Sequence, residues 1–245
     1  MIRPVLIQAP AKFYEVVPIF CKEARKNGNL NKFYIWTDHK DPYGLDDDCV
    51  VVQSKDGQFS KNMRSLLSKV EEDQFYIFCE DHIIKSSTDK EGMEKDWRFA
   101  YENDDVGFLR LSYGEKAKPT MTESGYLKIP KKYRYYVSLQ PAIWKREHFE
   151  RCIVGNDDSW KFEINASKLM SKRNDKSSYM VPADQSLVFT NFYREGKYYR
   201  RQFVDYAEDN GIKLSHDWPV YRGKRLTTKE SYLEERRKNN ENISQ

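Results

Sequence analysis

Cysteine is scarce in this 245-residue sequence, and its four copies (Cys21, Cys49, Cys79 and Cys152) stand far apart. No CxxC pair occurs. Neither a zinc framework nor a disulfide scaffold is therefore indicated, and a reducing compartment fits best. Long hydrophobic runs are also missing. No apolar stretch approaches the ~18 residues of a membrane span, and Arg3 and Pro4 interrupt the short apolar start, so no signal peptide is expected. The common signatures of metal, nucleotide and hydrolase sites are absent too: no HExxH, no EF-hand loop, no GxxxxGK[ST] and no GxSxG. There is no internal repeat and no low-complexity linker. A soluble, cytoplasmic protein is expected.

What is present is charge and aromatic surface. Charged residues make up 33% of the chain and the hydrophobic set 39%, which suits a globular protein with a densely charged exterior. Tyrosine (17), phenylalanine (13) and tryptophan (5) are abundant, giving both core and flat ligand-contacting surface. The net charge of +4 permits a phosphate-bearing partner without requiring one.

The first half alternates regularly. RPVLIQAP (3–10) predicts a short buried strand, and 13–28 a helix stopped by Asn27-Gly28, with Pro18 near its first turns. KFYIWTD (32–38) and DDCVVVQS (47–54) predict two further strands. In 60–72, Met63, Leu66, Leu67 and Val70 form one apolar helical face behind a Ser60 cap. QFYIFC (74–79) is apolar on both faces, as in a strand covered by helices on both sides. The β-α-β-β-α-β order implies an α/β fold with a mostly parallel sheet, in which ligands bind outside the carboxyl ends of the strands.

The second half is less regular. Helices are expected over 95–103 and 158–172 and a strand over 106–112. Residues 131–153 should form a strand and then a short helix from near Trp144. A polar turn is expected at 173–178. Strand-turn-strand with Gly196 at the turn follows, and a short helix with a frayed tail after Thr227.

Glu80-Asp81-His82, at the exit of an apolar strand, is the sharpest local signal. In an extended stretch Glu80 and His82 would face one way and Asp81 the other, and carboxylate plus imidazole suits a borderline cation such as Mn²⁺. Solvated charges at a strand end explain the triplet equally well. Trp160 and Glu163 share a helix face at i and i+3, so an indole and an acid could flank one substrate, with the acid acting as a base. Alternatively, Glu163 serves the helix dipole above a core tryptophan. Asp38 either meets a ribose or base, or is a turn aspartate. Basic and aromatic residues interleave in KKYRYY (131–136), FYREGKYYRRQF (192–203) and VYRGKR (220–225), either to track nucleic acid or as ordinary solvated strands. His216 is the best of the remaining histidines for a late-arriving ligand.

YIWTD (34–38), QFSKNMRSLL (58–67), YIFCEDH (76–82), VSLQPAIWK (137–145) and WKFE (160–163), in this order, resemble the nucleotide-sugar-dependent glycosyltransferases of the GT-A fold, in particular small bacterial and phage members. The resemblance covers roughly residues 1–200. It implies a single Rossmann-like GT-A domain over 1–226, with a donor-binding half (1–112), an acceptor-side half (113–226) and a C-terminal helix and tail (227–245). It further implies a nucleoside diphosphate sugar donor, UDP-linked by default, and a divalent cation, Mn²⁺ or Mg²⁺. Glu80, Asp81 and His82 would hold that cation, and His216 could complete the shell. By position, Asp38 and Asn62 would face the donor along with Glu80 and Asp81. Glu163 would be the base of an inverting transfer, with Gln140, Trp144 and Trp160 on the acceptor side. His82 departs from the family pattern, in which an acid is usual. The acceptor would be a hydroxymethylated base in phage DNA or a surface-polysaccharide precursor. A non-enzymatic nucleic-acid-binding protein is the competing reading, and it leaves the acids unexplained.

Overall fold

The computed structural model describes residues 2–55, 58–174, 176–194, 198–214, 218–222 and 226–243. Contacts divide the chain into two compact units, Met1–Glu80 with Ile84–Val188, and Asp81–Ile83 with Phe189–Gln245.

The first unit is an α/β layer structure built as the alternation predicts. Strand β1 (Pro4–Gln8) leads through a 3-10 turn to helix α1 (Val17–Gly28), and β2 (Lys32–Thr37) follows. The helix proper begins at Val17 because Pro18 has no N–H to donate and belongs in a first turn. β3 (Cys49–Gln53), α2 (Phe59–Leu67) and β4 (Gln74–Cys79) complete the parallel set. After the short β5 (His82–Ile84) come α3 (Lys90–Glu102) and β6 (Val106–Arg110). α3 starts five residues earlier than its pattern suggests, because the Asp89 carboxylate accepts from Glu91 N–H and caps it.

A small antiparallel pair, β7 (Thr120–Met121) and β8 (Leu127–Lys128), lies at one edge. Next in the chain are β9 (Ala142–Lys145), α4 (Arg146–Cys152), α5 (Ser159–Met170) and β10 (Ser177–Met180). The strand expected early in 131–153 is confined to β9, and 131–141 is turns bounded by Pro130 and Pro141.

The nine-stranded sheet runs β3-β2-β1-β4-β9-β6-β10-β8-β7. β3, β2, β1 and β4 are mutually parallel, and β6 is parallel to β10. β9 is inserted antiparallel between β4 and β6. The chain progresses outward from β1 to β3 and then returns past β1 to β4, which puts a topological switch point between β1 and β4.

Period-two alternation sends large side chains to both faces. Leu6, Tyr34, Trp36, Phe75, Ile77, Phe108 and Trp144 join Met63 and Leu66 of α2 and Phe162 of α5 in one buried cluster. On the other face, Phe20 of α1 packs on Phe33 and Phe78, and Trp97 of α3 stacks on Tyr76 with ring centroids 5.0 Å apart.

In the second unit, β11 (Phe189–Asn191) pairs with β5, and β12 (Tyr193–Arg194), β13 (Tyr198–Arg200), β14 (Val220–Tyr221) and β15 (Leu226–Thr227) form a four-stranded sheet with helices α6 (Arg201–Asp209) and α7 (Lys229–Ile243). The strand expected through RRQF ends at Arg200, and residues 201–203 instead start α6, whose Phe203, Val204 and Ala207 bury one helical stripe. Gly196, expected at a turn, lies outside the described residues.

Trp144 carries the central packing of β9. It is fully buried, with its ring 4.5 Å from Phe108 and 4.9 Å from Phe149, and its indole N–H has no partner among the described residues. Trp144→Ala should cost about 3–5 kcal/mol in urea unfolding. Trp144→Phe should cost markedly less, since it removes the unsatisfied donor while keeping an aromatic ring. Equal losses for the two variants would contradict this account of the core.

Candidate functional site

The carboxyl ends of the parallel strands present, in sheet order, Gln53 of β3, Thr37 and then Asp38 after β2, Gln8 of β1, Cys79 of β4, Arg110 of β6 and Met180 of β10. The segment entering β9 fills the space between β4 and β6, since Ala142 registers with both Ile77 and Arg110. α2 links parallel β3 to parallel β4, so it runs back against the strands and starts at this end of the sheet. α5 starts at the same end, with Ser60 N–H of α2 donating to the Asp157 carbonyl just ahead of α5. The N-terminus of α2, which has no side-chain cap, thus adds positive potential there, while that of α5 is capped by the Asp158 carboxylate.

Leu139 ties this mouth together. Its N–H donates to Glu163 Oε1 at 2.7 Å, and its carbonyl accepts from the Cys79 thiol at 3.3 Å. Glu163 is therefore held at the end of the sheet by one residue that also touches the end of β4. Burial pushes the Glu163 carboxyl above the usual value of 4.5, against the opposing pull of the Leu139 N–H and the charge of Arg110. Arg110 in turn is lowered by burial, with Tyr133 and Glu163 favouring its charge.

The acid triplet differs in detail from its sequence expectation. Residues 80 and 81 form a turn, so the extended alternation that would put Glu80 and His82 on one ion does not hold. The ligand atoms that converge are those of Cys79, Asp81 and His82, all within 4.8 Å of one another, and Glu80 is not among them. His82 is 1% exposed and lies edge-on to Phe189 at 4.9 Å, with Nε2 3.9 Å from Asp81 Oδ1. Asp81 Oδ2 accepts from Asn191 Nδ2 at 2.9 Å. The donor set fits a divalent cation: the Asp81 oxygen and His82 nitrogen suit a borderline ion such as Mn²⁺, and a Cys79 thiolate would turn the preference toward Zn²⁺. While Cys79 donates to Leu139 it remains a thiol. His216 lies outside the described residues.

The other expected site residues are distributed unevenly. Asp38 is half-buried and accepts from Ala11 N–H at 2.6 Å, joining the loops after β1 and β2. Asn62 is buried one turn into α2. Gln140 is exposed beside Leu139. Trp160 is 66% exposed in the first turn of α5, so it is no core tryptophan. Trp144, expected on the acceptor side, offers no surface to a ligand: β9 is covered on both faces, and its indole is wholly within the core. Two residues at the mouth escaped the sequence reading, Arg110 and Gln8, whose Oε1 is buried without a partner. Each is a polar residue ending an apolar strand, and that is the one signal that would have found them.

No protein-family model matches this chain, and no curated protein does. Its architecture is that of the Rossmann-like GT-A fold. Among solved structures it is similar to the mannosyltransferase PcManGT from Pyrobaculum calidifontis in complex with GDP-Man and Mn²⁺, with a TM-score of 0.52 and 12% identity over 79% of this chain and 58% of that one. It is also similar to residues 1–349 of S. aureus TarS, with a TM-score of 0.50 and 12% identity over 74% of this chain and 60% of that one. This chain spans less than two thirds of either. At such identity the likeness establishes the fold.

The raised proton affinity of Glu163 has a signed consequence. Its neutral form is favoured in the folded state, so that contribution is complete below the unfolded value and is lost as pH rises through the folded one. Glu163→Gln keeps the acceptor for Leu139 and removes the charge. Its stability relative to wild type should rise from about pH 4.5 upward and then level off, in urea unfolding across pH 4–8. A difference independent of pH would show that Glu163 ionises as freely as an exposed carboxylate.

Proposed function

We propose that this chain is a glycosyltransferase that moves a sugar from a nucleoside diphosphate sugar to an acceptor hydroxyl with inversion, using Glu163 as the base. One observation carries the reading: a partly buried carboxylate of raised proton affinity, fixed by Leu139 at the mouth of a GT-A-type sheet and next to the end of β4. A base needs proton affinity near the working pH and a fixed position, and burial together with the Leu139 N–H supplies both.

In the reaction the acceptor oxygen attacks the anomeric carbon, and the bond from that carbon to the diphosphate oxygen breaks. The diphosphate keeps the electron pair, and the acceptor proton passes to Glu163. Asp38 at the end of β2 orients the nucleoside and Asn62 the donor, with Glu80 close to the diphosphate. Gln140 and the exposed indole of Trp160 contact the acceptor. Asp81 and His82 would hold the divalent cation, Mn²⁺ or Mg²⁺, which when bound neutralises charge developing on the leaving diphosphate.

Engagement of some of the basic residues within the protein favours a glycan hydroxyl over a base in DNA as the acceptor. Arg222 bonds Glu235 at 2.6 Å, Arg236 bonds Asp209 at 2.7 Å, and Arg237 bonds Glu208 at 3.0 Å. Lys131 is taken up by the Arg173 carbonyl and the Asn174 side chain. Cations engaged with protein acceptors are poor at tracking phosphates. Among the described residues no helix is long and apolar enough to cross a membrane.

Glu163→Gln should slow release of nucleoside diphosphate, and transfer of the sugar, by about 10²–10⁴-fold. The wild-type rate should rise with pH through a midpoint above the ordinary carboxylate value. Near-full transfer by the variant would remove Glu163 from the base role. Duplex DNA should bind weakly and with a shallow dependence of log affinity on log salt concentration. A steep slope would restore the DNA acceptor and the nucleic-acid-binding reading.

A further inference from the structure

Arg110 closes β6 at the mouth of the sheet and is half-buried there. Its Nε donates to Ser112 Oγ at 2.8 Å, and the nearby Tyr133 favours its charge. That hydrogen-bond partner is neutral. Among the described residues no carboxylate pairs with the guanidinium, while Glu163 acts on it only through its field. A guanidinium has five N–H donors in a planar fork. None of its nitrogens is among the buried atoms that lack a partner, so the donors left over open to solvent at the mouth. Gly114 leaves the space this requires, since a Cβ there would stand 3.1 Å from Arg110 Nη1.

A partly desolvated guanidinium held by neutral groups gains most from an anion it can grip with two N–H bonds. The N-terminus of α2, which has no side-chain cap, points to the same end of the sheet and favours the same sign of charge, while that of α5 is already capped by the Asp158 carboxylate. We infer that Arg110 is an anion-binding residue that takes a phosphate group of the substrate beside Glu163. The inference rests on the glycosyltransferase reading for the origin of that phosphate. Two sources share this chemistry, the diphosphate of the donor and a phosphate carried by the acceptor.

The test is isothermal titration of the full chain with inorganic pyrophosphate, orthophosphate and UDP, comparing wild type with Arg110→Gln and Arg110→Lys. Pyrophosphate should bind wild type and lose at least tenfold in affinity in Arg110→Gln. Arg110→Lys, which keeps the charge but not the fork, should fall between them, and matched thermal midpoints certify folding. If UDP loses affinity in parallel and orthophosphate does not bind the UDP-saturated protein, the phosphate is the donor's. If orthophosphate binds the UDP-saturated protein and requires Arg110, it is the acceptor's. Absence of phosphate binding to wild type, or affinities within twofold across the three proteins, would overturn the inference. Pyrophosphate binding that depends on Arg110 in a protein indifferent to every nucleotide sugar would instead sink the glycosyltransferase reading and leave the anion site standing.

Discussion

The hydrogen bond from Leu139 N–H to the Glu163 carboxylate is the constraint on which the rest of the candidate site depends. It exists because β9 enters the sheet antiparallel between β4 and β6. That insertion brings the segment before Ala142 across the carboxyl ends of two strands that run the other way. Leu139 then spends both backbone groups on the site, its N–H on Glu163 and its carbonyl on Cys79. A carboxylate on a helix and the end of a strand far from it in sequence become neighbours through a single residue.

Charge at this mouth is balanced by burial rather than by ion pairing. Desolvation drives Glu163 toward its neutral form and Arg110 toward its neutral form, and each is opposed by the other's field and by neutral hydrogen-bond partners. A direct salt bridge would have satisfied both groups and left little for a ligand. Holding them apart leaves both groups without a charged partner, which is what the proposed roles require. Elsewhere the chain pairs its charges freely, as between α7 and α6, where Arg236 and Arg237 meet Asp209 and Glu208.

Much of the fold was readable because the signal was local. β1, β2 and β4 announce themselves as apolar runs, and α2 by its spacing of Met63, Leu66 and Leu67. Glu163, whose role as a base is proposed, is a signal of the same local kind, a polar residue one turn after Trp160 at a helix start. What was missed is non-local. The turn at 80–81 broke the alternation assumed for the acid triplet and exchanged Glu80 for Cys79 as the neighbour of Asp81 and His82. Trp144 looked like a ligand contact in its motif, but Phe108 of β6 and Phe149 of α4 pack on its ring and it is fully buried. Arg110 and Gln8 acquire meaning only once sheet order is known, because a lone polar residue at a strand end is common and its neighbours come from distant segments.

The proposed activity requires that the mouth of this sheet bind a nucleoside diphosphate sugar with the help of a divalent cation. The most direct measurement is the thermal midpoint of the protein against UDP, GDP and CMP sugars, each with and without Mn²⁺. A ligand that binds only the folded state raises the midpoint by mass action, by about 2.7 kcal/mol of stability at a hundredfold excess over its dissociation constant. The account predicts that one nucleotide class raises the midpoint, that Mn²⁺ enlarges the shift, and that Asp81→Asn abolishes the enlargement. No shift with any nucleotide sugar, with or without the metal, would contradict it.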